Sequence, residues 1–157
     1  MKTDSGTRIR PATASDAGAL AQLLAELGYP GTEAFIAQKI AQQAAHPDAL
    51  LLVATEGERI LGLISLHFIP QLALPGDFCR ISYFCVSETA RGRGIGAQLE
   101  RRAESEARAR HCDRIELHCH SRRTGAHRFY ARQGYEESPK YFMKTLTELT
   151  ETGSFAV

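Results

Sequence analysis

The chain of 157 residues carries almost no net charge: 19 Lys and Arg against 18 Asp and Glu leave +1 at neutral pH. A balance so close to zero excludes bulk electrostatic binding of nucleic acid or of an anionic membrane. Long apolar runs are missing too. No stretch approaches the roughly 20 residues that a membrane-spanning helix needs. Met1-Lys2-Thr3-Asp4-Ser5-Gly6 lacks the apolar segment of a secretion signal, so a cytoplasmic protein is expected. Cysteine is scarce, with four residues and no disulfide-framework spacing. Reduced thiols are expected, Cys79, Cys85 and Cys119 among them on predicted strands. Repeats and low-complexity segments are absent. What remains has the apolar and charged fractions of an ordinary globular domain, 43% and 24%, in a chain long enough for one sizeable core.

The densest local signal is Cys85-Val86-Ser87-Glu88-Thr89-Ala90-Arg91-Gly92-Arg93-Gly94-Ile95-Gly96-Ala97. Before it stands an apolar, aromatic run (Phe78, Cys79, Ile81, Tyr83, Phe84, Cys85, Val86) that reads as a strand. After it, Ile95, Leu99, Ala103 and Ala107 recur at helical spacing. Three glycines alternate with Arg93 and Ile95 between the two. Glycine lets the backbone turn sharply and approach a ligand without an intervening Cβ. The first amides of a helix lack intrahelical acceptors and lie at the positive end of its dipole. Such a turn cradles an anion such as phosphate, and Arg91 and Arg93 add donors suited to phosphate geometry. A plain strand-to-helix turn requires neither the arginines nor so many glycines. Two ligand readings stay open on the loop alone. Gly92-x-Gly94-x-x-Ala97 satisfies a dinucleotide fingerprint, with Glu116 at a suitable distance downstream. The alternative is the pyrophosphate loop of an acyl-coenzyme A enzyme.

The order of elements separates them. Residues 7–11 alternate briefly and stop at Pro11, a short strand. Thr13 and Asp16 resemble a capping box opening a helix with Leu20, Leu23, Leu24 and Leu27 on one face, ended by Gly28. After the turn Tyr29-Pro30-Gly31, a second helix over about 32–45 carries Phe35, Ile36 and Ile40 and ends before Pro47. The turn between these helices lies where a substrate could be gripped. Leu50–Ala54 and Ile60–Ile69 form a hairpin across Glu56-Gly57-Glu58-Arg59. With 78–86 they make an antiparallel meander. A dinucleotide fold places its glycines after a first parallel strand; here they follow a meander. A helix over 94–110 leads to a strand over 114–120, with Ile115, Leu117 and Cys119 on one face and Glu116, His118 and His120 on the other. The helix with Phe129 and Tyr130 is stopped by Gly134, and Tyr141-Phe142-Met143 reads as a last strand.

Two segments carry a family resemblance. Arg91-x-x-Gly94-x-Gly96 resembles the R/Q-x-x-G-x-G/A signature of the GNAT N-acetyltransferases, and Phe129-Tyr130-x-x-x-Gly134-Tyr135 is similar to the segment that ends their core. The resemblance covers about residues 7–146, with 1–6 expected to be disordered and 147–157 a tail. It implies an α/β fold of the α+β type: a mixed, mostly antiparallel sheet of 6–7 strands flanked by about 4 helices. It implies acetyl transfer from acetyl-CoA to a primary amine of a small molecule or protein, by direct attack in a ternary complex and without a metal.

The same resemblance implies the roles of residues. Main-chain groups of Phe84, Cys85 and Val86 would bind the pantetheine arm and acetyl carbonyl, a use compatible with a buried strand. The stretch Arg91, Gly92, Arg93, Gly94, Ile95, Gly96 and Ala97 would hold the pyrophosphate. Tyr130 would be the acid that protonates the leaving thiolate, since a phenol's ordinary pKa, about 10, is near a thiol's. Two departures stand out. Arg123 occupies a position where many relatives have Asn, and with Arg122 it could reach the coenzyme phosphates instead. The fourth-strand acidic base is replaced by Ser82-Tyr83, leaving His118, His120, Glu116, His67 or water as the amine's proton acceptor. His118-Cys119-His120 does not read as a zinc site, because alternation points Cys119 away from both histidines and no C-x-x-C pair completes the set. Two other functions remain: a non-catalytic acyl-CoA sensor on the same fold and, more remotely, a dinucleotide-binding protein. The partners implied are acetyl-CoA, an amine and a second copy of the chain as a homodimer.

Overall fold

The computed structural model describes residues 6–119, 123–138 and 141–147. Expectations that fall on residues 1–5, His120, Arg122 and 148–157 lie outside them. The chain divides into two compact units, Met1–Leu117 and His118–Val157.

The first unit is built on a sheet. Strands β1 (Thr7–Pro11), β2 (Ala49–Glu56), β3 (Arg59–Ile69), β4 (Phe78–Val86) and β5 (Arg114–Leu117) lie side by side in chain order. The first four pair antiparallel; β5 pairs parallel to β4. A parallel neighbour requires a crossover, and α3 (Ile95–Ala109) supplies it. Helices α1 (Ala17–Leu27) and α2 (Ile36–Ala45) come between β1 and β2.

Strand alternation splits the apolar residues into two cores. Leu52, Ala54, Ile64, Leu66, Cys79 and Ile81 join Ile95, Leu99, Ala103 and Ala107 of α3. Val53, Leu63 and Cys85 join Leu20, Leu23, Ile36 and Ile40 of α1 and α2. The sheet is thus covered by α3 on one face and by α1 and α2 on the other, as the periodicity of 2 in the strands and 3.6 in the helices requires. No helix among the described residues is long and apolar enough to cross a membrane.

Several boundaries follow from local chemistry. Gly28 ends α1 at φ 119°, a torsion that glycine adopts at little cost. The expected capping box opens a single 3-10 turn, Ala14–Asp16, from which α1 continues. Its Asp16 carboxylate accepts from Thr13 N at 2.8 Å and from Arg10 Nη1 and Nη2 at 2.8 and 2.9 Å. Asp16 is only 7% exposed. The Arg10 bond holds its carboxyl below the ordinary 3.8, against the opposing effect of burial. A depressed folded pKa stabilises the fold above the ordinary carboxylate range, and that contribution is lost as pH falls through it. Asp16→Asn is therefore expected to cost about 1–2 kcal/mol at pH 7, with the difference from wild type shrinking as pH falls below the ordinary 3.8. Urea titrations across that range check it; a deficit independent of pH would show that the charge contributes nothing.

Two expectations need correction. The strand over 114–120 stops at Leu117, so Cys119 is not on a strand. Tyr141–Met143 forms no strand among the described residues. Strand propensity becomes a strand only where a ladder partner exists, and here Phe142 is 86% exposed. The sheet therefore has five strands among the described residues, not six or seven. The second unit contains α4 (Thr124–Arg132), followed by Gly134 at φ 94°.

Candidate active site

The loop is positioned by the strand before it and the helix after it. Ser87 N donates to Leu61 O at 2.7 Å, which ties the end of β4 to β3. Ser87 Oγ then accepts from Thr89 N at 3.3 Å and caps a 3-10 turn over Glu88–Ala90. Ala90 is fully buried, so the chain is pinned just before it turns out as Arg91–Gly94. Gly92 and Gly94 have φ of 81° and 80°. A Cβ in that region costs roughly 1–2 kcal/mol. A Cβ built on either glycine meets no atom within 4 Å, so the loop's flank is open. Gln98 N makes the first helical bond, to Gly94 O. The amides of Ile95, Gly96 and Ala97 precede it and have no intrahelical acceptor. The site thus meets the steric and polar requirements of a pyrophosphate: alternating left-handed glycines, open space, and amides at the positive end of a 15-residue helix.

The two loop arginines differ. Arg91 is exposed, with its Nε 3.4 Å from Val86 O. Arg93 is engaged by Glu56 at the end of β2, Nη2 to Oε2 at 2.6 Å. That bond raises the Arg93 guanidinium above its ordinary value and lowers the Glu56 carboxyl. Arg93 must exchange this carboxylate for any phosphate it holds. Sequence reasoning missed Glu56, because its partner lies 37 positions away.

The strand before the loop has an unusual edge. The β4–β5 ladder runs from Phe78↔Arg114 to Ile81↔Leu117 and stops, while β4 continues to Val86. Residues 82–86 therefore extend past the parallel neighbour, leading straight into the cradle. Within them, Phe84 and Val86 pack toward α3, whereas Cys85 belongs to the α1–α2 core with its Sγ 3.6 Å from Leu23 O. Gly62 lies opposite Val86 on β3, where an added Cβ would come within 2.9 Å of Cys85 O and 3.2 Å of Leu99 Cδ1. That glycine permits the close approach of β3, β4 and α3 under the site.

A bulge interrupts the β3–β4 ladder. Ser65 faces Tyr83, and Leu66 faces Ile81, so Ser82 is the extra residue. Ser82 Oγ lies 3.0 Å from His67 Nε2 and 3.0 Å from Ser65 Oγ. Ser65 Oγ in turn reaches Gln43 Oε1 of α2 at 3.3 Å. The Tyr83 ring meets Tyr29 of the α1–α2 turn edge to face at 5.4 Å. Sequence reasoning named His67 as a candidate proton acceptor and Ser82 as the place of the missing acid, but not their contact, since a bulge depends on register between strands.

The proton-acceptor candidates are also sorted. Glu116 accepts from Arg80 Nε at 3.0 Å and faces Arg114 Nε at 3.2 Å, so its carboxylate is already engaged by two guanidinium groups. His67 is half-buried; burial, then the nearby His46 and Arg80, lowers its pKa from the ordinary 6.5. Burial pushes the Cys79 thiol up to about 12, which makes it a core residue and not a nucleophile.

The second unit holds the remaining candidates. Tyr130 is half-buried on α4, its ring 5.4 Å from Phe129 and 5.6 Å from Tyr135. Arg123 is exposed and precedes the helix. His118 stacks on Tyr141 with ring centres 4.0 Å apart.

The chain is similar to known proteins in sequence and in fold. A sequence model of the acetyltransferase (GNAT) family matches residues 19–135. The aminoalkylphosphonate N-acetyltransferase of Salmonella typhimurium is 36% identical over 100 residues, 64% of this chain and 65% of that enzyme's length. The aminoglycoside N(6')-acetyltransferase type 1 of Klebsiella aerogenes is 31% identical over 116 residues, covering 69% of this chain and 76% of the relative. Among solved structures, a transcriptional regulator from Bacillus halodurans superposes with a TM-score of 0.81 at 26% identity, covering 89% of this chain and 99% of that one.

Proposed function

The chain belongs to the GNAT acetyltransferase family, and we propose that it moves the acetyl group of acetyl-CoA to a primary amine of a small polar molecule. The observation that carries this reading is the continuity of one edge. Strand β4 outruns β5 at Ile81 and feeds, through a pinned turn, into two left-handed glycines at the N-terminus of α3. A long ligand with an acyl end and a pyrophosphate end matches that order. Amides of the loop and of α3, with Arg91 and a released Arg93, would hold the pyrophosphate. The main chain of Phe84, Cys85 and Val86 would hold the pantetheine arm and donate to the thioester carbonyl, whose oxygen gains charge as the amine attacks. Tyr130 would donate a proton to the departing sulfur. Direct attack then needs no covalent enzyme intermediate. A small acceptor is favoured by the two relatives, named for aminoalkylphosphonates and aminoglycosides.

Thermal unfolding with acetyl-CoA, with NADH and with neither tests the ligand. At 100 times its Kd a ligand contributes about 2.7 kcal/mol, or roughly 5–10 °C for a domain of this size. Thiol release is then followed with 2-aminoethylphosphonate, an aminoglycoside and an α-amino acid. A shift with acetyl-CoA together with amine-dependent thiol release is expected. A shift with no turnover on any amine would favour a non-catalytic sensor. A shift with NADH alone would overturn the coenzyme assignment.

A further inference from the structure

The amine's proton must go somewhere, and the described residues contain one hydrogen-bonded route that starts at the surface beside the extended part of β4. Ser82 is exposed and occupies the bulge, immediately after the last β4–β5 pair. It shares the α1–α2 face of the sheet with Ser65 and His67. From Ser82 to Phe84 is a two-residue step, about 6–7 Å along a strand. An amine directed at a thioester held on the main chain of Phe84–Val86 would then approach Ser82 Oγ, directly or through one water. The α1–α2 turn arrives at the same place through the Tyr29–Tyr83 contact, which walls one side.

We propose that Ser82 and His67 form the proton relay for the acceptor amine. This inference rests on the acetyltransferase reading above. As the nitrogen lone pair attacks the thioester carbonyl, the N–C bond forms and the C–S bond breaks. The amine's proton passes to Ser82 Oγ while the Ser82 hydroxyl proton passes to His67 Nε2. The sulfur leaves with the bonding pair and takes a proton from Tyr130, and solvent later restores both groups.

The relay requires one tautomer. In the resting structure Ser82 Oγ donates to Ser65 Oγ, which donates to Gln43 Oε1, and the His67–Ser82 bond fits either tautomer. To donate to His67 Nε2, the Ser82 hydroxyl must rotate and accept from Ser65, whose own hydroxyl then turns from Gln43. The Ser65–Gln43 link is the longest of the chain at 3.3 Å, against 3.0 Å for the other two. His67 must then carry its proton on Nδ1. Burial, then His46 from the segment after α2 and Arg80 of β4, itself bonded to Glu116, lower the His67 pKa, so the ring is neutral at pH 7.5 and has an acceptor nitrogen, although its basicity is reduced.

Two measurements test this. In nitrogen NMR of the wild-type protein, His67 is expected to show a protonated Nδ1 and an unprotonated Nε2; the opposite tautomer at pH 7.5 overturns the relay whether or not an acceptor has been found. With the amine that turns over best, the logarithm of kcat/KM should rise with slope 2 below the His67 pKa, which lies under 6.5. Above it, only the amine titrates and the slope is 1. His67→Gln keeps a hydrogen-bonding side chain but cannot take the proton. It should lower kcat/KM about 10²-fold at pH 7.5, keep slope 1 throughout and bind acetyl-CoA as wild type does. Ser82→Ala should lose the same activity, with Ser82→Thr recovering most of it. Wild-type rate and profile in a folded His67→Gln sink the relay while leaving the acetyltransferase intact. Absence of acetyl-CoA binding by the wild-type protein would instead sink the reading beneath it.

Discussion

Tyr130→Phe is expected to lower turnover about 10²-fold while leaving acetyl-CoA affinity within about twofold. General acids contribute typically 10²–10⁴-fold, which is the loss expected if Tyr130 protonates the departing thiolate. The substitution removes one oxygen and keeps the ring. The edge-to-face contacts with Phe129 and Tyr135, worth about 0.5–1.5 kcal/mol each, should therefore survive, and Tm should move by only a few degrees. Steady-state kinetics with saturating amine, alongside calorimetric titration of acetyl-CoA, separates the two quantities. A fall in kcat with unchanged Kd is the expected pattern. Equal loss of affinity and turnover would make Tyr130 a packing residue of α4, and unchanged turnover would remove it from the reaction.

Leu99→Ala should be among the costliest single truncations in the first unit. Leu99 is fully buried, packed in the core that α3 shares with β2, β3 and β4. It stands in the second turn of the helix whose first turn lines the cradle. Truncating a buried leucine costs about 2–5 kcal/mol through lost transfer energy and the cavity left behind. At 2–4 °C per kcal/mol for this chain length, Tm should fall by roughly 4–20 °C. The methyl nearest the position of a Gly62 Cβ, Leu99 Cδ1, disappears with it. Gly62→Ala in the Leu99→Ala background should then cost less than in wild type, though the Cys85 carbonyl still opposes the new Cβ. A double-mutant cycle by urea denaturation measures that coupling. A Leu99→Ala loss below 1 kcal/mol would contradict the seat of α3 on the sheet.

Elements governed by near neighbours were legible before folding. The leucine spacing and Gly28 marked α1, and the strand–glycine–helix order marked β4, the cradle and α3. The meander could be read because each strand pairs with the next one along. Legibility failed where a feature depends on register or on a distant partner. The extra residue at Ser82 exists only because β3 and β4 pair as they do. The early end of β5 is likewise a property of pairing with β4, since residues 114–120 alternate without interruption in sequence.

The sequence by itself determined the family, the strand–glycine–helix turn and the antiparallel meander, because these rest on local periodicity, on glycines that tolerate left-handed torsions and on one helix N-terminus. Tertiary structure alone decided which charges are available. It paired Arg93 with Glu56 and tied Glu116 to Arg80 and Arg114. It also brought His67 to Ser82, 15 positions along the chain. Side-chain bonds between strands depend on register and close approach, and neither is written in the spacing of residues along one strand.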